Sequence, residues 1–185
     1  MRTMRIGAAA LMAVTIGNCE LAFAQSTSAL PIPGYEAAKD VPGAHELPDP
    51  TLIHKVVFDL AQAAPSIDAV NPGLIVVARY LNTLAKHGVP ADHRRIAVVL
   101  HQQATEIILK DAAFKVRHEG HENPNVALIQ TMRKAGVDFR VCGQSVLANK
   151  IDPQMIMPEI ELDLWALTTL TTLELRGYVR VGGGG

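Results

Sequence analysis

Val137-Asp138-Phe139-Arg140-Val141-Cys142-Gly143-Gln144-Ser145 is the stretch that decides the fold. Apolar side chains at Val137, Phe139 and Val141 recur with the period of a β-strand, and the glycine after Cys142 marks its end. A thiol therefore stands at the carboxyl end of a strand, followed by a turn and a helix start. In open α/β sheets ligands bind along this edge.

On either side, strand patterns alternate with helical ones. His54 to Leu60 (HKVVFDL) is a short β-rich run. Asn71-Pro72 opens a helix, with Asn71 as N-cap and Pro72 in the first helical position. Leu74, Val77, Leu81 and Leu84 carry its apolar stripe, and Gly88 follows its end. Arg95 to Leu100 (RIAVVL) is almost continuously apolar, as in a strand covered on both faces. The pattern then predicts helix over Ala104 to Lys110, a second short helix before Arg117, and a polar loop from His118. Asn125 is placed to cap a helix running from Val126 to Ala135 and stopped by Gly136. After the thiol come a helix over Ser145 to Ile151, a strand over Ile160 to Leu164, a helix over Trp165 to Arg176 and a strand over Tyr178 to Val181. Strands alternating with helices imply a parallel sheet of about five strands with helices on both faces.

All carboxyl ends of a parallel sheet lie on one edge. That edge gathers Asp59 and Gln62 after the first strand, His101 after the second and Cys142 after the third. Gly143, Gln144 and Ser145 follow the thiol as candidate binding residues: Gly143 and Gln144 can offer backbone N–H groups to it, and a helix starting near Ser145 would point its positive end at the sulfur. Amide donors or a cationic neighbour hold a thiol below its free pKa of about 8.5. His101 is the candidate neighbouring base. A thiolate so placed could attack a disulfide or a sulfane sulfur and hold the transferred atom as a persulfide. The alternative is a small buried apolar residue at a strand end.

The ends of the chain suggest an exported protein. Arg2 and Arg5 precede a short apolar stretch, Ile6 to Ile16, and Ala22-Phe23-Ala24 fits signal-peptidase cleavage before Gln25. The apolar run is much shorter than the ~20 residues of a spanning helix, and no later segment reads as a membrane span. Cleavage removes Cys19 and leaves Cys142 as a single thiol in an oxidising compartment, the bacterial periplasm. About 160 residues remain, the size of one domain. Gln25 to Pro50, with Pro31, Pro33, Pro42, Pro48 and Pro50, reads as an extended arm, either a disordered leader or a strap across a neighbouring subunit. Gly182 to Gly185 forms a flexible tail. The net charge is −1, from 17 basic and 18 acidic residues, and aromatics make up 4% of the chain. With no basic stripe and few aromatics, nucleic acid is excluded as a partner. No phosphate-binding glycine loop or dinucleotide fingerprint occurs, and no cofactor is expected.

Asn123-Pro124-Asn125, Ala135-Gly136-Val137, Val141-Cys142-Gly143-Gln144-Ser145 and Leu175-Arg176-Gly177-Tyr178, with the strand end Val99-Leu100-His101, resemble the DsrE/DsrF-like family, in particular its exported members. The resemblance runs over most of Ile53 to Val181. It implies a compact three-layer α/β/α domain with a parallel five-stranded sheet, assembled as a homo-oligomer such as a trimer or hexamer. Some relatives carry sulfur on a cysteine at the position of Cys142, which implies a sulfur donor and acceptor, either a protein or a small sulfur compound.

Two other functions compete. His118-Glu119-Gly120-His121-Glu122 packs two imidazoles and two carboxylates into one loop, and His118 with His121 could grip a zinc or copper ion. A solvated loop before a helix accounts for the same residues. A third possibility is an oligomeric binding scaffold in which Cys142 is inert.

Overall fold

The computed structural model describes residues 29–182. The signal sequence with Cys19 and the last three glycines lie outside the described residues. Five strands form one sheet: β1 (His54–Leu60), β2 (Arg94–Leu100), β3 (Asp138–Cys142), β4 (Ile160–Asp163) and β5 (Val179–Gly182). Every pairing is parallel, and the strand order is β4-β3-β2-β1-β5. The helices are α1 (Pro72–Lys86), α2 (Asp111–Arg117), α3 (Val126–Lys134), α4 (Gly143–Ala148) and α5 (Ala166–Leu175).

Alternation along the strands divides the core in two. Val56, Phe58, Ile96, Val98, Leu100, Phe139 and Val141 point to one face and pack with α1, α3 and Val146 of α4. Val57, Ala97, Val99 and Cys142 point to the other, where α5 covers them with Ala166, Leu170 and Leu173. The sheet is thus an α/β sandwich with most helices on one side and α5 alone on the other.

Where the structure departs from the helical pattern, a buried amide supplies the reason. The segment after β2 is a 3-10 helix over Gln102–Ile108, not an α-helix ending at Lys110. The carbonyls of Ile107 and Leu109 accept from the carboxamide of buried Asn123, and that of Ile108 accepts from Met157 N. These outside donors draw the carbonyls away from helical partners. Asn125 sits at the N-cap position of α3 without capping it; its Oδ1 accepts from Asn71 N and its Nδ2 donates to Asn123. Asn71 does cap α1, accepting from Gly73 N, and donates to Gln62 O. Asn71, Asn125 and Asn123 therefore form one buried polar tie between the loops at the carboxyl edge.

The proline-rich arm lies along its own chain in its described part. Ile32 is fully buried, its N–H donates to Asn82 Oδ1, and Asn82 Nδ2 donates to the carbonyls of Ile32 and Tyr35. Farther along, Ala38 N donates to Thr83 Oγ1 and Lys86 pairs with Asp40. Residues 32–40 are therefore a strap on α1 rather than a disordered leader. Replacing Asn82 by Ala strands buried groups of the strap, which should lower the unfolding free energy by about 1–3 kcal/mol and open residues 29–40 to protease. A denaturation midpoint equal to wild type would remove this role for Asn82. Among the described residues no helix is long and apolar enough to cross a membrane.

Candidate functional site

β3 and β4 are neighbours, yet the chain leaves them in opposite directions. From β3 it enters α4 on the many-helix face; from β4 it enters α5 on the other. Such a divergence opens a crevice at the carboxyl ends of the two strands. Cys142 is the last residue of β3 and the N-cap residue of α4, paired in register with Asp163. Its side chain points to the α5 face. The sulfur thus lies between the first amides of α4 and the first amide of α5.

Cys142 is 3% exposed, but it is not sealed in hydrocarbon. It lines a cavity of about 470 Å³ together with His101, Gln102, Gln103, Gln144, Ser145, Ala148, Asn149, Trp165 and Ala166. The wall contains no Lys, Arg, Asp or Glu, so Cys142 and His101 are its titratable groups. Burial pushes the thiol pKa up, and the amides of Ala166, Ser145 and Gln144 with the Ser145 hydroxyl outweigh it, leaving the thiol below its ordinary value. The cause is hydrogen bonding to the charged form. Ser145 Oγ accepts from Gln102 N at 3.1 Å, which leaves its proton free for the sulfur. Gln102 supplies that amide from a left-handed backbone, φ 50°.

Gly143 is required by close approach. A methyl group there would stand 2.7 Å from the Asp163 carbonyl oxygen and 3.1 Å from that of Leu164. The missing side chain lets the β4–α5 turn lie against α4 and bring Ala166 to the thiol. Gln144 contributes its amide to the sulfur, and its Nε2 donates to Leu164 O at 3.3 Å.

His101 lies on the same cavity wall, but its Nε2 meets Asp59 Oδ1 at 2.5 Å. The groups that favour the thiolate are amides and the Ser145 hydroxyl, and His101 is not among them. Asp59 has a side chain only 1% exposed, and its other oxygen, Oδ2, accepts from Arg180 Nε at 3.0 Å and from Arg180 Nη2. Asp59, Gln62, His101 and Arg180 line a second cavity of about 640 Å³, separated from the first by His101-Gln102-Gln103. The expected binding residues therefore divide: Gln144 and Ser145 act on the sulfur through their amides, Gly143 contributes close packing against the β4–α5 turn and no amide to the thiol, and Asp59 and Gln62 belong to the neighbouring hollow.

The proposed metal pair does not converge. His118 Nε2 faces Glu106 Oε2 at 3.2 Å, and its ring packs on Phe114. His121 Nδ1 faces Asp68 Oδ1 at 2.8 Å. Each imidazole is oriented by its own carboxylate on a different part of the chain, and no group of three or more His, Cys, Asp or Glu among the described residues could hold a metal ion.

Three participants escaped the sequence pattern. Ala166 acts through its amide and carries no side-chain signal. Trp165, 46% exposed on the cavity rim, reads from sequence as packing. Arg180 is the one charged position in the apolar run Val179-Arg180-Val181, a visible signal whose partner only the β1–β5 pairing reveals.

The sequence profile of the DsrE/DsrF-like family matches residues 46–180. No curated protein matches the chain. Solved structures that share the fold include two of unlike origin. The ychN protein from E. coli is 13% identical, with a TM-score of 0.51 over 69% of this chain and 97% of that one. The protein of unknown function MTH1491 from Methanobacterium thermoautotrophicum is 14% identical, with a TM-score of 0.51 over the same 69% and 97%. With the family profile spanning β1 to β4, the first half of β5 and the thiol crevice, the chain belongs to the DsrE/DsrF-like family.

Proposed function

We propose that this protein is a sulfur carrier that loads and unloads a single sulfur atom on Cys142. The observation that carries this is a thiol with lowered pKa on the floor of an open cavity, at the divergence of two helices. Family membership supports the same chemistry. In the loading step the Cys142 thiolate attacks the sulfane sulfur of a donor R–S–SH. A new S–S bond forms on Cys142, the donor S–S bond breaks, and its electron pair leaves on RS⁻. The same amides that favour the thiolate can hold the resulting persulfide anion. An acceptor thiol then reverses the exchange.

The test is mass spectrometry after incubation with thiosulfate, polysulfide or glutathione persulfide. The expected result is one added sulfur atom on the peptide containing Cys142, at a rate well above that of free cysteine. A rate equal to free cysteine would favour the scaffold reading.

The remaining features belong to the same proposal. The leader suits export to the periplasm, checked by a mature N-terminus at Gln25 in a periplasmic extract. The outward side of α5 carries Leu167 and Leu175, 49% and 90% exposed, and the helix has Glu174 as its single charged residue. A face with two exposed leucines and one charge suits self-association into a trimer or hexamer; a solution mass of one chain would refute it.

A further inference from the structure

Asp59 is a deeply buried carboxylate that the loading step leaves without a role, and it connects Arg180 to a wall of the thiol cavity. Its Oδ1 is held against His101 Nε2 at 2.5 Å and its Oδ2 against the Arg180 guanidinium. The order Arg180–Asp59–His101 runs from the edge strand β5 through β1 to the end of β2. The ring is thereby fixed with Nε2 toward Asp59. Its Nδ1 makes no hydrogen bond among the described residues, while the side chain keeps 16% exposure and lines both cavities. The next residue, Gln102, donates its amide to Ser145 Oγ, so the ring and the sulfur's own support share one turn.

We propose that His101 is the general acid of sulfur transfer, acting on the leaving group, with Asp59 and Arg180 as positioning residues. This rests on the carrier reading of Cys142. In the acid form proposed, Nε2–H stays on the Asp59 carboxylate, and Nδ1–H, without a partner among the described residues, is the proton to be given. As the Cys142 thiolate forms its bond to the sulfane sulfur, the donor's S–S bond breaks. The departing RS⁻ takes the Nδ1 proton and leaves as RSH, and His101 becomes neutral with Nε2–H still on Asp59. The amides around Cys142 already favour its thiolate, so the proton problem lies with the departing thiolate. A donor with a basic leaving thiol needs that proton; a donor whose thiolate is stable does not. The orienting carboxylate has the geometric role of the third member of a triad, with the imidazole working here as an acid.

The experiment compares two electrophiles on His101→Gln, whose amide can still donate to Asp59 but has no acidic proton. Glutathione persulfide expels a basic thiolate. 5,5′-Dithiobis(2-nitrobenzoate) forms a mixed disulfide with Cys142 and expels a weakly basic aromatic thiolate. Loss of a general acid should slow the first reaction by about 100-fold or more and leave the second within about threefold of wild type. Asp59→Asn should show the same selective loss, confirmed as folded by its thermal transition. If it does not fold, Arg180→Gln, at a partly exposed side chain, carries that test. Equal slowing with both reagents, or with neither, would overturn the acid assignment while leaving Cys142 as the carrier. A folded Asp59 or Arg180 variant that reacts like wild type with both reagents would overturn the positioning role. Wild-type protein that reacts with the aromatic disulfide yet takes no sulfur from the persulfide would sink the carrier reading and this inference with it.

Discussion

Cys142→Ala is expected to bring sulfur loading to the background of a thiol-free protein, with the fold retained. The side chain it truncates is small and packs among Val57, Ala97, Val99 and α5, so the stability cost should be about 1 kcal/mol. A second result follows from the thiol's lowered pKa. An unfolded chain titrates this cysteine near its ordinary value, about 8.5, whereas the folded chain releases the proton at lower pH. Between those values the unfolded state binds more protons, so stability rises with pH there. The thiol's contribution is fully present above the unfolded value and is lost as pH falls through the folded one. The melting difference between wild type and Cys142→Ala should therefore widen in favour of wild type as pH rises toward about 8.5 and flatten below the folded pKa. A constant offset across that range would mean that the amides of Ala166, Ser145 and Gln144 do not favour the thiolate. Persistent sulfur loading in the variant would move the chemistry away from Cys142 altogether.

The parallel sheet is legible because each strand is a short apolar run bounded by polar turns or glycine, and the segments between carry helical spacing. That alternation alone places Asp59, His101 and Cys142 on one edge, where the structure has them. Strand order is a different kind of information. Whether β4 lies beside β3, and β5 beside β1, depends on which face α5 takes, and α5 carries leucine on its buried and exposed sides alike. The crevice at the β3–β4 divergence and the Arg180–Asp59 contact both follow from that order. His101 illustrates the limit: its position at a strand end is evident, but the direction of its ring is set by a carboxylate 42 residues away. The His118/His121 loop fails for the opposite reason. Close spacing in sequence suggests convergence, while Glu106 and Asp68 draw the rings to separate partners.

Gly143→Ala sets two opposing effects against each other, and their sizes decide the outcome. Alanine in place of glycine inside a helix is worth up to about 1 kcal/mol of added stability, and Gly143 opens α4. The new methyl, however, would lie 2.7 Å from the Asp163 carbonyl oxygen, a contact that must be relieved by moving backbone. Overpacking of this kind costs about 1–3 kcal/mol. The turn cannot move freely, because the Asp163 carboxylate accepts from Thr169 Oγ1 at 2.7 Å and pairs with Arg140 at 3.3 Å. Net destabilisation of about 1–2 kcal/mol is expected, despite the better helix former. The chemical consequence should be larger than the structural one. Retreat of the turn draws the Ala166 amide from the sulfur and removes one of the groups that outweigh burial, so the Cys142 pKa should move up. Alkylation of Cys142 followed across pH would then show its midpoint displaced upward relative to wild type, with slower sulfur loading at neutral pH. A stabilised variant with an unchanged alkylation midpoint would show that the close approach at Gly143 is not what presents the Ala166 amide to the thiol.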